Sequence, residues 1–473
     1  MINISQLKRN ESLKDKCGVF GIYGKHEDVA RISYFGLYSL QHRGQEGAGI
    51  AVSDGKKINA IKGLGLIPSV FSEKDIASLK GHIAIGHTRY STTGGNTKNN
   101  AQPFLIKFKN DNLALAHNGN IINADTLRKS LPNIKMKSTT DTEVMGWIIS
   151  NTEGKSWEDK IFKSMSRFEG AYSIVAMTKT KLLAFRDSYG FRPLALGKLN
   201  GGFVISSETC ALDTIGADYI RDIKPGEVVS IDETGLHEMG KVKSDRKSFC
   251  LFEYVYLARP DSVLNNELVH QVRQRSGELL AHQAPIGADL VVAIPDSGTS
   301  AAIGYSKASG IPFGEILIKN RYIGRTFIQP EQRIRDMGVR MKFNPLKKIA
   351  KGKRIIIVDD SIVRGTTIKR IIEVLRKCGA KKVHIRSCSP PIKYSCYFGI
   401  DTPDPKKLIA SEMSVDQIRK FINADSLAYL GISGLVQAAR QKKNTLCTAC
   451  FTGHYPLPIN ASFTKTILEH NKC

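Results

Sequence analysis

Short runs of apolar residues in the second half of the chain predict a buried β-sheet. The clearest run, residues 355–358, is β-branched, which is typical of a strand buried on both faces of a parallel sheet. A turn follows, and then an amphipathic helix begins at Thr366. Residues 288–310 repeat the same order of buried strand, polar loop with glycine, and helix. Two such units predict parallel strands joined by helices.

The loop after the first of these strands carries residues suited to a sugar phosphate. Asp359 and Asp360 end the strand, and the turn at residues 361–365 contains Arg364 and Gly365. Loop N–H groups and the positive end of the following helix would face an anion. The two acids suit ribose hydroxyls, Mg²⁺ or a developing positive charge. A tight turn capped by threonine hydroxyls is the alternative interpretation.

The first half of the chain has a different pattern, in which strands or helices end in dense polar clusters. A strand with glycines at alternate positions begins at Cys17. A cysteine at such a place is most often a small buried hydrophobe. Polar or glycine-rich ends then occur at residues 38–52, 81–95, 113–123 and 138–144. Four such ends in one region are typical of a small-molecule pocket, which favours the alternative that Cys17 is a nucleophile.

Apolar residues continue in a β pattern up to a polar boundary. Strands are predicted at residues 170–177, 182–186, 203–207 and 225–234, with the last of these ending the sheet. Residues 241–247 are basic and polar and are the predicted domain boundary. An aromatic run at residues 249–257, predicted as a strand or turn, opens the second unit.

Charge and composition limit the classes of partner. The net charge is +25, from 69 basic and 44 acidic residues, but the lysines are mostly scattered and no RNA-binding signature appears, so nucleic acid is not a predicted partner. No apolar run approaches the ~20 residues of a membrane span, so no membrane partner is predicted. Residues 319–354 hold 12 Lys and Arg against two acids. That excess favours a polyanionic small molecule, with a solvated charged surface as the alternative. Nine cysteines without a secretory signal predict a reducing compartment, the cytoplasm.

The first half resembles the glutaminase domain of the class II amidotransferases, whose nucleophile is an N-terminal cysteine. The resemblance implies that residues 1–16 are a propeptide, that Cys17 is the nucleophile and that its freed α-amine is the general base. It implies an oxyanion hole made by Asn118 and Gly119. The implied fold over residues 17–247 is the N-terminal-nucleophile αββα sandwich. The residues implied at the bound glutamine are Arg89 for its α-carboxylate, Asp141 for its α-amino group, and Arg43 close by.

The second half, residues 248–473, resembles a type I phosphoribosyltransferase with a doubly wound parallel sheet. The family's VVDD-type motif reads IVDDSIVRGTT here and departs from the pattern only at its first residue. Residues 295–299 would hold pyrophosphate, and a basic loop at residues 319–342 would close over it. The implied ligands of phosphoribosyl pyrophosphate are Asp359, Asp360, Ser361, Arg364, Gly365, Thr366, Thr367, Ser297, Gly298, Thr299, Lys319 and Arg321. The residues implied at Mg²⁺ are Ser297, Asp359 and Asp360.

Together the two halves resemble the glutamine phosphoribosylpyrophosphate amidotransferases, from Cys17 to about residue 455. The resemblance implies that glutamine, phosphoribosyl pyrophosphate and water give 5-phosphoribosylamine, glutamate and pyrophosphate, the first committed step of purine synthesis. Ammonia would pass between the sites through an apolar channel, for which Phe252 and Tyr256 are candidate linings, although they could equally be core residues. The resemblance also implies a homotetramer and feedback inhibition by purine nucleotides.

Four cysteines extend the resemblance. Cys447 and Cys450 form a lone CxxC motif, which by itself fits a metal site, a redox pair or a surface turn. One branch of the family carries a [4Fe–4S] cluster, and its ligand positions match Cys250, Cys396 and this pair. The resemblance therefore implies a structural, oxygen-sensitive cluster away from the chemistry.

Two other functions are weighed against this one. Another class II amidotransferase, such as a glucosamine-phosphate synthase, would share the first half but not IVDDSIVRGTT. A non-catalytic regulator that binds phosphoribosyl compounds, with DNA affinity from its charge, would not need the set of Cys17, Arg89, Asn118 and Asp141.

Overall fold

Two antiparallel sheets form the centre of the first domain in the computed structural model, which describes residues 17–91, 94–108, 111–320, 343–402, 405–459 and 468. Their strands are β1 Gly18–Tyr23, β2 Gly47–Ser53, β3 Ile58–Leu64, β4 Ile83–Arg89, β5 Phe104–Phe108, β6 Asp111–Ile121, β7 Gly170–Met177, β8 Leu182–Arg186, β9 Ala195–Leu199, β10 Gly202–Ser206, β11 Asp218–Asp222, β12 Glu227–Asp232 and β13 Gly235–Lys241. One sheet has the order β11-β9-β10-β1-β4-β2-β3 and the other β13-β12-β8-β7-β6-β5.

The two sheets stack face to face because their central strands have apolar residues on both faces. Val19 and Ala114 belong to the core between the sheets, whereas their neighbours Phe20 and Leu115 face outward. Successive side chains of a strand point to opposite faces, so both outer faces also need cover. The helices that supply this cover and connect the strands are α1 Val29–Ser39, α2 Ile67–Val70, α3 Glu73–Ser78, α4 Ala124–Lys129, α5 Asp141–Asn151, α6 Trp157–Met165 and α7 Thr209–Ile215, with a 3₁₀ turn at Lys98–Asn100. The αββα sandwich is as predicted.

One predicted end of this sheet is wrong. Residues 225–234 were expected to hold the last strand, but β12 is followed by β13, an edge strand that pairs with it in antiparallel register. The last four residues of β13 are exposed, and apolar and polar residues do not alternate along it. Its sequence therefore does not predict a strand. The predicted boundary at residues 241–247 begins where β13 ends.

The second domain is built on a four-stranded parallel sheet. Its strands, together with shorter pairs around it, are β14 Phe249–Cys250, β15 Val263–Leu264, β16 Glu267–Leu268, β17 Leu290–Ala293, β18 Leu317–Lys319, β19 Phe343–Pro345, β20 Arg354–Asp359, β21 Lys382–Ser387, β22 Ser426–Tyr429 and β23 Leu446–Cys447. The main sheet has the order β17-β20-β21-β22. Ile356 and Val358 pack into one core, and Ile355 and Ile357 into another. The strand at residues 355–358 is therefore buried on both faces, as predicted.

Helices lie on both faces of this sheet. They are α8 Val269–Gln283, α9 Thr299–Ser309, α10 Lys347–Ala350, α11 Thr366–Lys377, α12 Ile409–Glu412, α13 Val415–Ile422, α14 Ile432–Ala438 and α15 Ala449–Thr452, with 3₁₀ turns at Pro405–Lys407 and Lys443–Thr445. Side chains of α8 and α9 share a core with Ile356, whereas those of α11 and α13 share the opposite core with Ile355. Within the described ranges, no helix is both long and apolar enough to cross a membrane.

The junction between the domains is a buried turn of π-helix rather than the strand or simple turn expected at residues 249–257. Phe249 and Cys250 form only a two-residue ladder, with Leu446 and Cys447. The chain then coils through the π-helix Glu253–Leu257, in which Tyr254 is fully buried. Aromatic residues suit strands and buried helices alike, so the sequence pattern could not separate the two.

Candidate active sites

Cys17 lies at the head of β1, with its thiol enclosed by the first domain. Its Sγ donates to the carbonyl oxygen of Tyr90 at 3.4 Å. Burial raises the pKa of the Cys17 thiol to about 11, although the Tyr90 hydrogen bond and the charge of Arg89 oppose the shift. At pH 7 only about one thiol in ten thousand would be ionised, because four pKa units separate the two values. The thiol therefore needs a base before it can act as a nucleophile.

Arg89 and Asp141 lie near this thiol on separate elements. Arg89 ends β4, is buried, and donates to the Gly94 carbonyl oxygen at 3.1 Å. Asp141 begins α5, where its Oδ2 accepts from the backbone N–H of Ile121 at 3.1 Å. The charges of both residues act on the pKa of Cys17. The structure thus brings together a cation and an anion beside the thiol, as recognition of an amino acid requires.

Asn118 and Gly119 lie on β6, in the sheet facing that of Cys17. The amide of Asn118 is fully buried, and its Nδ2 lies 3.4 Å from the hydroxyl of Ser207. That hydroxyl also accepts from the backbone N–H of Val19 at 2.9 Å, two residues beyond the nucleophile. Ser207 therefore ties the two strands together at the site.

Arg43 lies behind the nucleophile rather than in front of it. Its Nε donates to the carbonyl oxygen of Cys17 at 3.1 Å. Its terminal nitrogens contact the buried carboxylates of Glu208 and Glu253. Arg43 is therefore near the predicted pocket, but its guanidinium fixes the backbone of Cys17. To contact glutamine directly, Arg43 would have to give up its contacts with the two carboxylates.

Two loops of the second domain meet at the carboxyl edge of the parallel sheet. The N–H of Ile294 donates to the carbonyl oxygen of Val358 at 3.0 Å, so the loops after β17 and β20 lie side by side. Helix α9 begins after Gly298 and α11 after Gly365, and neither N-terminus has a side-chain cap. The predicted alternative of threonine caps is therefore wrong. Two adjacent helix ends whose N–H groups have no side-chain cap can bind an anion.

Most of the predicted phosphoribosyl ligands lie on these two loops. Asp359 ends β20, and the N–H of Asp360 donates to the Asp359 carboxylate at 3.0 Å. The hydroxyl of Ser361 donates to the Asp360 carboxylate at 2.6 Å. Thr366 and Thr367 are exposed in the first turn of α11. The remaining predicted ligands that the structure describes on these two loops are Ser297, Gly298, Thr299, Arg364 and Gly365.

The start of the basic loop reaches the pyrophosphate loop. The Nζ of Lys319 pairs with the carboxylate of Asp296, next to Ser297. Arg321 and the rest of the predicted closing loop, through residue 342, lie outside the described residues.

A small cavity lies between the phosphate loops and the junction of the two domains. This cavity of about 10 Å³ is close to the minimum for one water-sized molecule. Its lining includes Ser297 and Asp360 from the loops and Tyr254 and Val255 from the junction. Phe252 and Tyr256, the candidate channel linings, do not line this cavity. Phe252 is buried in the core and packs against Phe451.

Comparisons with known proteins agree with these two sites. Family models for a glutamine amidotransferase domain and a phosphoribosyl transferase domain match residues 87–214 and 261–390. An amidophosphoribosyltransferase of Synechococcus elongatus is 48% identical, covering 96% of this chain and 94% of its own. The chain belongs to the amidophosphoribosyltransferase family. The Bacillus subtilis enzyme of that name is 45% identical over 98% of each chain. A solved structure of glutamine phosphoribosylpyrophosphate amidotransferase from B. subtilis, complexed with ADP and GMP, has a TM-score of 0.90, covering 95% of this chain and 99% of that one.

Membership of the amidophosphoribosyltransferase family confirms the predicted pairing of a glutaminase with a phosphoribosyltransferase. It also confirms the predicted activity, a glutamine-dependent transferase at the first step of purine biosynthesis. The two alternative functions are therefore not retained. Neither family model reaches Cys17, Cys396 or the CxxC pair, so the roles of individual residues rest on geometry.

The four cysteines predicted as cluster ligands converge in one buried core. Cys250 pairs with Cys447 in the β14–β23 ladder. The carbonyl oxygen of Cys450 accepts from the N–H groups of Lys393 and Tyr394, both at 3.0 Å, which brings the segment with Cys396 alongside. Burial raises the pKa of the Cys450 thiol, and the charges of the other three cysteines raise it further. Across the described ranges, no three potential ligands surround a single metal position.

Two buried acids at the junction were missed from the sequence. Glu208 accepts from the N–H of Arg259 at 2.9 Å and the hydroxyl of Ser262 at 2.6 Å, both in the second domain. Burial would raise the pKa of Glu208, but the charges of His42 and Arg43 outweigh it and hold the pKa well below its ordinary value. The sequence could have indicated Glu253, because it is the one acid within the apolar run at residues 249–257. A carboxylate buried in such a run needs a positively charged partner.

Proposed function

We propose that this chain transfers ammonia from glutamine, released at Cys17, to phosphoribosyl pyrophosphate bound at the loops after β17 and β20. The products are 5-phosphoribosylamine, glutamate and pyrophosphate. The observation that carries the proposal is the pairing, within one chain, of a buried thiol beside Arg89 and Asp141 with two uncapped helix ends at an acidic loop. The junction between them is buried and contains a water-sized cavity.

The glutaminase half works through the nucleophile and its own amine. Removal of residues 1–16 would free the α-amine of Cys17, whose ordinary pKa of about 7.7–8.0 leaves a useful neutral fraction. The amine takes the thiol proton while sulfur attacks the amide carbon of glutamine. Ammonia then leaves with that proton, and water hydrolyses the resulting thioester to glutamate.

Charge on the tetrahedral intermediate is stabilised by the β6 residues. The side-chain amide of Asn118 and the backbone N–H of Gly119 donate to the oxyanion. Turning the amide so that the Ser207 hydroxyl donates to Oδ1 would leave Nδ2 free for this task, because that hydroxyl already accepts from Val19. Arg89 and Asp141 hold the α-carboxylate and α-amino groups of glutamine.

The phosphoribosyl half works by binding and electrostatics. The N–H groups in the first turns of α9 and α11 hold phosphate groups, and Asp359 and Asp360 hold ribose hydroxyls. As pyrophosphate leaves, positive charge develops at C1 of the ribose, beside these acids. Lys319, Arg321 and the basic loop balance the charge of the leaving group. Ammonia arriving from the junction then forms the C–N bond and loses a proton.

Mg²⁺ is the proposed cofactor of this half, held by Ser297, Asp359 and Asp360. Ser297 and Asp360 line the same cavity, and their oxygens are the ligand type that Mg²⁺ prefers. An ion of this kind is commonly held by one or two carboxylates together with the substrate's phosphates. When bound, it supplies neutralisation of the departing pyrophosphate.

A [4Fe–4S] cluster is the proposed second cofactor, with Cys250, Cys396, Cys447 and Cys450 as ligands. Their convergence in one core supports it. Their four thiolates would be the ligands, as cysteine thiolates are in clusters of this kind. When bound, the cluster would crosslink the junction and the segment at residues 396–399.

Regulation, assembly and location are also proposed. The B. subtilis relative has been solved with ADP and GMP, and we propose that purine nucleotides inhibit this chain by competing at the phosphoribosyl loops. We propose a homotetramer in the cytoplasm. None of the eight cysteines that the structure describes is in a disulfide, which suits a reducing compartment.

One pair of assays tests the proposed function. Glutamate release from glutamine should depend on phosphoribosyl pyrophosphate, and Cys17→Ala should abolish glutamine use while leaving synthesis from ammonium salts. Mass spectrometry of active protein should show a chain that begins at Cys17. Loss of both activities in folded Cys17→Ala protein, or active protein that retains Met1, would contradict the two-site mechanism.

A further inference from the structure

A short segment of the second domain lies directly against the oxyanion residues of the first. The side chain of Asn120 donates from Nδ2 to the carbonyl oxygen of Tyr397 at 2.8 Å, across 277 residues of sequence. Asn120 follows Gly119 on β6. The segment at residues 397–399 is therefore hydrogen-bonded to the strand that carries the proposed oxyanion donors.

Gly399 and Gly119 touch through their backbones. A Cβ placed on Gly399 would lie 3.0 Å from the carbonyl carbon and 3.1 Å from the Cα of Gly119. Gly399 also has a φ of +106°, which residues with a side chain rarely adopt. Gly119 is also close to β7, because a Cβ placed on Gly119 would lie 2.0 Å from the carbonyl oxygen of Ala171. Gly119 is therefore confined between β7 and a glycine of the other domain.

Several buried contacts hold this segment in place. Arg192 of the first domain donates from Nε to the carbonyl oxygen of Phe398 at 3.0 Å. The rings of Phe398 and Phe191 are stacked with centroids 4.5 Å apart. The N–H of Phe398 lies 3.4 Å from the sulfur of Cys396. The residues immediately before Gly399 are thus held in place next to its contact with Gly119.

We infer that residues 397–399 are a positioning element for glutamine hydrolysis, supplied to the glutaminase domain by the phosphoribosyltransferase domain. By confining Gly119, the segment sets the direction in which its N–H points at the oxyanion. Oxyanion donors act through geometry, so a small displacement of Gly119 lowers the rate of the chemical step more than it lowers substrate binding. This inference rests on the proposed role of Asn118 and Gly119.

The direct test is Gly399→Ala in the full-length protein. The new methyl group would overlap the backbone of Gly119 and displace it. We expect the kcat of glutamine hydrolysis to fall about tenfold or more, toward the ~10²-fold loss typical of removing one oxyanion donor. The KM for glutamine should change little, because Arg89 and Asp141 bind its other end. Synthesis from ammonium salts and the iron content should stay near those of the unchanged protein.

Gly235→Ala is the matched control. Gly235 has a similar φ of +119°, but its Cβ would meet nothing within 4 Å. It therefore reproduces the backbone strain without the contact, and its glutamine kcat should stay within about twofold. Asn120→Ala, which removes the hydrogen bond to Tyr397 without adding atoms, should lower the same kcat several-fold and serves if Gly399→Ala does not fold.

The outcomes separate this inference from the proposed function. Unchanged glutamine kcat in folded Gly399→Ala and Asn120→Ala proteins would overturn the inference while leaving the proposed function intact. Equal loss of the ammonia-dependent and glutamine-dependent activities would also overturn it, because the segment would then act on the whole fold. Absence of glutamine hydrolysis in the unchanged protein would instead overturn the proposed function.

Discussion

Arg43 and Glu253 form a buried ion pair across the boundary between the two domains, with 3.2 Å between Nη2 and Oε1. They are 210 residues apart in the chain. Arg192 joins the same carboxylate, with its Nη1 at 3.3 Å from Oε1. One acid thus joins the backbone of the nucleophile, through Arg43, to the segment at residues 396–399, through Arg192.

Removal of this acid should destabilise the protein strongly. Glu253→Gln removes the negative charge that Arg43 and Arg192 share. Breaking a buried ion pair in this way costs about 3–5 kcal/mol. The free energy of unfolding, measured by denaturant titration, should fall by about that amount. Asp416→Asn weakens exposed pairs with Arg419 and Lys420 and should cost no more than about 1 kcal/mol. Equal losses in the two variants would show that burial does not govern the Glu253 contact.

The reactivity of Cys17 should depend on pH in a way that reflects its burial. In protein whose mass shows residues 1–16 still attached, a thiol with a pKa near 11 should be alkylated by iodoacetamide about tenfold faster for each pH unit until that value. A small model thiol with a pKa of about 8.5 should level off earlier. Peptide mapping by mass spectrometry measures the rate at Cys17. A plateau near the model thiol's pH would contradict the burial effect.

The start of helix α11 should control binding of phosphoribosyl pyrophosphate. Gly365 has a φ of +71°, and a Cβ there would lie 2.9 Å from Cδ1 of Ile409. Gly365→Ala should therefore displace the uncapped N–H groups and weaken binding about tenfold, or ~1.4 kcal/mol, by calorimetry. Gly216→Ala has the same type of φ, +72°, in open space, and should leave binding unchanged. Similar affinity in both variants would argue against the anion site at α11.

Iron analysis should test the four cysteines. Protein prepared without oxygen should contain about four irons per chain and absorb visible light, as a [4Fe–4S] cluster does. Cys396→Ser should lose the iron and the absorbance. Cys378→Ser, which changes a thiol at the end of α11, should keep both. Iron-free wild-type protein, or full iron in Cys396→Ser, would contradict the cluster.

Local patterns in the sequence predicted the elements that carry each site. The β-branched run at residues 355–358 and the helix starting at Thr366 appear as expected. A continuous apolar run predicts a buried strand, whereas apolar residues three or four positions apart predict an amphipathic helix. The polar ends around Arg89 and Asn118 also converge as expected. These are places where a short stretch of chain determines its own conformation.

Contacts between distant segments could not be read in the same way. Arg43 was expected beside glutamine, but its partners Glu208 and Glu253 lie 165 and 210 residues away. Gly399 carries no local signal for its contact with Gly119. Which side chains meet across a domain boundary depends on how the two sheets dock, and a single sequence does not encode that in any periodic pattern.

The central claim is that ammonia moves directly from Cys17 to the phosphoribosyl site. Glutamine labelled with ¹⁵N in its amide can be supplied together with unlabelled ammonium in excess, and the ¹⁵N content of the newly made phosphoribosylamine measured by mass spectrometry. Direct transfer predicts a product that carries the label far above its share of the mixed nitrogen. A product whose label matches the bulk ammonium would contradict transfer within the protein.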